Sequence, residues 1–210
     1  MALLFDWKTR GRQLQTTKNH SRVSGAILHG QSRLHRGRSI ITRMSQLKEL
    51  LLSQIAYSAW ATGQFLGACS GLTADQLDRG LGASHSSIIQ TYCHIYDCER
   101  VWMRRLIASS GEQRLPPGPA PELTFGFLVQ SRSALWQTYF DWIESAKEAQ
   151  LAEVLTTVLP DGKPVSVPRW QILLHTVNHA TLHRGQIVSM LRTLGVTPPN
   201  TDLTAYWLTS

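Results

Sequence analysis

Four stretches of the chain repeat their apolar residues every three to four positions, which is the period of an amphipathic α-helix. Ser45 is a suitable N-cap for the first stretch, and Gly195 ends the last one, with Pro198 and Pro199 beyond it. The pattern therefore predicts four helices, over residues 45–69, from 84–87 to about 109, from 121 to about 149, and over 168–195.

The segments between these helices carry turn and strand signals. Thr73 and Gln76 form a capping-box pattern that opens a short helical turn. Residues 111–121 contain four prolines and two glycines and are predicted to be a loop. Residues 151–167 are rich in β-branched side chains around a Pro-Asp-Gly turn, which predicts a short β-hairpin or an extended loop. The tail, 201–210, is expected to pack back on the helices.

This order of elements predicts an all-α fold. Four amphipathic helices joined by loops are typical of an up-down four-helix bundle, here with a short β-hairpin or extended loop between the third and fourth helices. The apolar stripe of the fourth helix includes His179 and His183, so both imidazoles face the interior rather than solvent.

The positive charge of the chain is concentrated at its beginning. Residues 1–43 hold nine Lys and Arg side chains and one acid, a net charge of +8. The other 12 basic and 13 acidic side chains give −1. We therefore expect two parts, a basic leader (1–43) and a globular domain (44–210), and no nucleic-acid surface on the domain.

Three interpretations of the leader remain open. Its Arg- and Ser-rich, acid-poor composition suits a disordered arm that contacts polyanions, or an organelle targeting peptide. Alternatively, it is an upstream extension and translation begins at Met44, which runs directly into the first predicted helix. No apolar run reaches the ~18 residues of a membrane span.

The cysteines and the absent motifs limit the chemistry. Cys69, Cys93 and Cys98 are odd in number and form no CxxC pair, which suits a reducing, cytoplasmic location. Neither a GxSxG nucleophile motif nor a glycine-rich phosphate loop occurs. Histidine is therefore the residue type on which a functional hypothesis depends.

Three histidines follow one another at intervals of four residues in the fourth helix. His179 and His183 lie one turn apart on the buried stripe, and His94 lies at mid-height of the second helix and can face them. Three imidazoles with one open position are the catalytic type of zinc site. His175 competes for a place in the pair, whereas His85, at the start of the second helix, is expected to be exposed.

Other polar residues near the histidines have plainer interpretations. Cys98 could approach the metal as a thiolate but is better read as a small buried hydrophobe. Asp97 and Glu99 point away from His94 on a helical wheel and are expected to be surface or supporting groups. Arg184 and Gln186 are read as packing or solvated side chains that could also reach an anionic substrate.

The two histidine segments resemble motifs of the DinB family. The segment His94-Ile-Tyr-Asp-Cys-Glu99-Arg-Val-Trp102 is similar to the family's His-x4-Glu-x2-Trp helix, and 178–186, Asn-His-Ala-Thr-Leu-His-Arg-Gly-Gln, is similar to its final helix. The resemblance covers about residues 45–195. It implies a four-helix bundle, commonly a homodimer, with a divalent metal, zinc or nickel above all, held by His94, His179 and His183.

The resemblance also suggests what such a site does. The family contains enzymes that use a low-molecular-weight thiol on a small electrophilic substrate, so the chain is expected to be a metal-dependent thiol transferase. The alternatives are a metal-dependent hydrolase and a stress-associated metal-binding or interaction protein without turnover. The sequence does not choose among them, and no catalytic residue is assigned. Membrane or nucleic-acid partners are not expected.

Overall fold

A computed structural model describes residues 32–108, 124–159 and 161–209, with side chains from residue 46 onward. The predicted loop at 111–121 and most of the leader lie outside the described residues. The described chain is helical apart from one hairpin. Its elements are α1 (Ser32–Cys69), α2 (Ala74–Asp78), α3 (Ile88–Ile107), α4 (Phe125–Ser145), α5 (Glu148–Ala152), β1 (Val154–Val158), β2 (Pro164–Pro168), α6 (Arg169–Thr193) and α7 (Leu203–Trp207).

The long helices α1, α3, α4 and α6 form a four-helix bundle, which confirms the predicted fold class. Helix α1 packs against α6 and α4, and α3 packs against the same two helices. The face between α3 and α6 is therefore opposite the face between α1 and α4. None of the described helices has the length and apolar character needed to cross a bilayer.

Side-chain caps explain several of the helix starts. Thr73 accepts a hydrogen bond from the backbone of Gln76, whose side chain bonds back to Thr73, so the predicted capping box is confirmed. Ser87 caps α3 and Thr124 caps α4, each by accepting from a backbone N–H three residues ahead. These bonds satisfy backbone donors that the first turn of a helix leaves unpaired.

Two predicted helix boundaries are wrong. Helix α1 begins at Ser32, so Ser45 is an interior residue and not an N-cap. Helix α4 ends at Ser145 rather than near residue 149, and a new short helix, α5, begins at Glu148. Ala146, between them, adopts an extended backbone conformation (φ −61°, ψ 133°), which interrupts the helical pattern although the sequence there remains favourable for helix.

The predicted hairpin is confirmed, in the form of two antiparallel strands. Val154 pairs with Pro168 at one end of the hairpin, and Val158 pairs with Pro164 at the other. Gly162 lies in the connecting turn with φ +84°, a conformation that glycine adopts without steric cost. Strand β2 leads directly into α6 and so sets where the histidine-bearing helix begins.

The interior of the bundle consists of two apolar clusters with polar side chains between them. One cluster includes Leu51 through Ala61 of α1 and the second half of α3, and the other includes Phe65 and the first half of α3. Between the clusters, buried polar residues occur on all four long helices, among them Thr62 on α1, Glu99 on α3, Arg132 on α4 and Arg184 on α6.

The tail packs back on the bundle as expected. Tyr206 of α7 is buried against the rings of Tyr57 and Trp60. The Tyr57 hydroxyl donates to the carbonyl of Thr201, which holds the segment before α7. Trp207, in contrast, remains 60% exposed.

Candidate metal centre

The three histidines predicted as ligands meet between α3 and α6. The Nε2 atoms of His94 and His179 are 3.1 Å apart. The ring centroid of His183 lies 4.7 Å from that of His94 and 4.5 Å from that of His179. The i, i+4 spacing on α6 and the mid-helix position on α3 thus bring three imidazoles together.

A fourth imidazole joins this group from the loop that connects α2 to α3. The ring of His85 stacks on that of His94 with centroids 4.0 Å apart, and it lies 5.4 Å from the ring of His183. Ligand nitrogens of His85, His94 and His183 all lie within 4.8 Å of one another. The expectation that His85 is exposed is therefore wrong, because the loop folds back over the start of α3 and half-buries this side chain.

His175 lies at the margin of the group. Its ring is 5.6 Å from that of His179 and contacts the Trp102 ring edge-on at 5.3 Å. Its side chain is exposed, one turn before His179 on α6. His175 is thus a neighbour of the cluster and not part of its centre.

The environment keeps several of these imidazoles neutral. Partial burial, followed by the nearby rings of His183 and His94, lowers the pKa of His179 to about 4. Burial also lowers the pKa of His94, with further contributions from His85 and His183. A neutral imidazole has a free lone pair, which is the form that binds a metal ion.

Gln186 orients His183. The amide oxygen of Gln186 accepts from Nδ1 of His183 at 2.9 Å and from the hydroxyl of Ser84 at 2.9 Å. With the proton on Nδ1, the Nε2 lone pair of His183 is free. Such a supporting hydrogen bond is typical of metal-ligating histidines. Gln186 is therefore bound within the site and does not point toward an outside substrate.

Arg184 has a structural role in the core. Only 2% of it is exposed. Its guanidinium donates to the hydroxyls of Ser58 and Thr62 on α1 and of Thr181 on its own helix. Because these contacts direct it into the bundle, Arg184 joins α6 to α1 and does not reach an anionic substrate.

Glu99 was expected to be either a surface group or a supporting group, and its burial shows that the first alternative is wrong. It is 0% exposed and pairs with Arg132 of α4 at 2.8 Å. Its backbone carbonyl accepts from the hydroxyl of Tyr139 at 2.7 Å. Asp97 pairs instead with Arg100 on the same helix. The helical wheel placed Glu99 away from His94 correctly, but that side of α3 faces α4 and not solvent.

None of the three cysteines is an activated nucleophile. Burial raises the pKa of Cys98 to about 12 and that of Cys69 to about 11, and it also raises the pKa of Cys93. None of the three forms a disulfide bond. The interpretation of Cys98 as a small buried residue agrees with this environment, since a thiol with so high a pKa does not ionise near neutral pH.

The donor set fits a divalent transition metal. Two nitrogens bound to one tetrahedral zinc ion at about 2.0–2.1 Å lie about 3.3 Å apart, close to the separation of the His94 and His179 Nε2 atoms. The arrangement could therefore hold a metal ion.

Histidines from two facing helices converge inside this four-helix bundle. This arrangement is that of helical-bundle proteins with a candidate metal site between their helices. The DinB family model matches residues 44–209, and the chain belongs to the DinB family. The chain is also similar in structure to a DinB-like protein from Bacillus cereus ATCC 10987, at 19% identity and a TM-score of 0.52, over 71% of this chain and 94% of that one. This structural similarity supports the assignment of the four-helix-bundle fold. No curated protein sequence matches the chain.

Proposed function

We propose that this protein binds a divalent metal ion, zinc or nickel in the first place, through His94, His179 and His183. The observation that carries this proposal is the convergence of these imidazoles between α3 and α6, with two Nε2 atoms 3.1 Å apart. The hydrogen bond from His183 to Gln186 supports it, because it presents the other ring nitrogen to the cluster.

We further propose that the bound metal serves a thiol transferase reaction on a small electrophile. An ion held by neutral imidazoles retains its full charge, lowers the pKa of a bound thiol and stabilises the resulting anion as a nucleophile. The raised pKa values of the three cysteines support an external thiol as the sulfur donor. The partly exposed rings of His94 and His179 leave the cluster reachable for small molecules. A homodimer remains an expectation from the family.

Metal analysis and a conjugation assay test both parts of the proposal. Purified protein is expected to hold about one metal ion per chain, and alanine in place of His94, His179 or His183 is expected to abolish stoichiometric binding. Asn178→Ala is a matched control, because Asn178 is exposed on the same helix and donates only to the carbonyl of Leu174. Low-molecular-weight thiols are then assayed with a panel of electrophiles.

The outcomes separate the proposed function from its alternatives. Metal binding that survives all three histidine substitutions would refute the site. If the protein binds metal and hydrolyses a substrate without any thiol, it is a hydrolase and not a thiol transferase. Bound metal without any turnover would favour a stress-associated metal-binding or interaction protein.

A further inference from the structure

We propose that His85 is a fourth ligand of the bound metal, supplied by the loop at residues 79–87, in the position that the three helix-borne histidines leave open. This inference rests on the proposed metal site. It changes the expected resting state of the protein, because four protein ligands close a site, whereas three leave a position for substrate.

The positions of the rings support this assignment. His94 lies at the centre of the group, with the ring centroids of His85, His183 and His179 at 4.0, 4.7 and 4.9 Å. The ligand nitrogens of His85, His94 and His183 are within 4.8 Å of one another. Ligands of a tetrahedral zinc ion lie about 3.3 Å apart, so the largest of these separations would have to shorten by up to about 1.5 Å on metal binding.

The loop is held against the cluster at several points. The backbone N–H of Leu81 donates to the carbonyl of Ser86 at 2.7 Å, which closes the loop around His85. Gly82 allows this closure with φ +73°. The hydroxyl of Ser84, the residue before His85, donates to the same Gln186 oxygen that accepts from His183. The loop is thus tied directly to the residue that orients a proposed ligand.

The four histidines differ in how firmly the fold holds them. His94, His179 and His183 belong to long helices whose other side chains are part of the core. His85 belongs to a loop, so its side chain can move away from the cluster without displacing a long helix of the bundle. An incoming thiol would therefore displace His85 and no other ligand. The loop would thus carry a ligand that can leave the metal. Without substrate, His85 would hold the metal tightly; with substrate bound, His85 would leave and open one coordination position.

Two affinities measured on His85→Ala test this inference. The first is the zinc Kd of the purified protein, by competition with a chelator, and the second is the azide Kd of the cobalt-substituted protein, by visible absorption. We expect the zinc Kd to rise by about 10-fold or more, as for other losses of metal-site groups. We expect the azide Kd to fall by about 10-fold, because azide no longer competes with an imidazole for the open position.

Ser86→Ala is the matched control, because Ser86 adjoins His85 in the loop and its hydroxyl bonds only to Gln90 on the outer side of α3. Circular dichroism verifies folding, and His85→Asn is a second, polar substitution for the same measurements. Both affinities should stay at wild-type values in Ser86→Ala.

Each remaining outcome has one meaning. If both affinities are unchanged in His85→Ala while His94→Ala and His183→Ala lose zinc, the inference is wrong and the proposed metal site stands. If zinc binding weakens without tighter azide binding, His85 only packs on His94, and the inference is again wrong. If the wild-type protein binds no stoichiometric metal, the proposed function itself fails.

Discussion

Gln186 offers the sharpest test of how the histidine cluster is organised. In Gln186→Ala, His183 loses the acceptor that now lies 2.9 Å from its Nδ1. Since His183 is only 6% exposed, water does not readily replace that acceptor. The proton is then free to occupy Nε2, and this tautomer has no lone pair on the nitrogen that faces the cluster.

The expected loss of metal affinity in Gln186→Ala follows from this one hydrogen bond. Loss of a neutral hydrogen bond costs about 1 kcal/mol, and supporting contacts of metal-ligating histidines are worth 10- to 100-fold in metal affinity, or about 1.4–2.7 kcal/mol. Gln186→Glu keeps an acceptor and adds negative charge, so it should bind metal at least as tightly as the wild type. Gln171→Ala, an exposed glutamine on the same helix, is the matched control.

Two measurements check the reasoning separately. Nitrogen-15 NMR of the metal-free protein should show His183 with its proton on Nδ1 in the wild type and a mixture of tautomers in Gln186→Ala. Chelator competition then gives the metal Kd of each variant. The reasoning is refuted if the alanine variant keeps both the Nδ1–H tautomer and wild-type metal affinity.

Three further predictions concern the interior of the bundle. Arg132→Met should lower the free energy of unfolding, measured with urea, by about 3–5 kcal/mol, because it leaves the Glu99 carboxylate buried without its partner. Adding Glu99→Leu to the same chain should restore most of this loss. Arg184→Met should cost about 2–3 kcal/mol, because three hydroxyls lose their donor, while metal affinity stays at the wild-type value. Iodoacetamide at about pH 8 should alkylate Cys98 and Cys69 roughly 1,000- and 100-fold more slowly than an ordinary thiol, since their pKa values are about 12 and 11 instead of 9.0.

Each of these predictions has an outcome that contradicts it. Equal destabilisation by the double and single variants at Arg132 would mean that the ion pair is not the source of the loss. A large change in metal affinity on Arg184→Met would place that arginine in the site after all. Because thiolate forms only as pH rises toward the raised pKa values, alkylation of Cys98 should still accelerate above pH 9; a plateau there would contradict the burial of this thiol. Mass spectrometry assigns each alkylated cysteine, with unfolded protein as the control.

The features that the sequence alone determined depend on residues close together along the chain. The periodic apolar residues predicted four helices, and the i, i+4 spacing placed His179 and His183 on one face, because helix geometry depends only on positions along one segment. The capping box at Thr73 and the hairpin before α6 were also predicted for this reason. The position of His94 in the middle of the second predicted helix made it the expected facing ligand, the family motifs implied the same residue, and the structure brings its ring to the other two.

What only the tertiary structure decided depends on contacts between distant segments. His85 lies in a loop without periodicity, and its place over His94 follows from how residues 79–87 fold back on α3 and α6. Glu99 is buried because Arg132, on another helix, neutralises it. Gln186 contacts the histidine cluster and Arg184 lies in the core, although they are only two residues apart. Successive positions on a helix face different neighbours, and only the assembled bundle determines which neighbours those are.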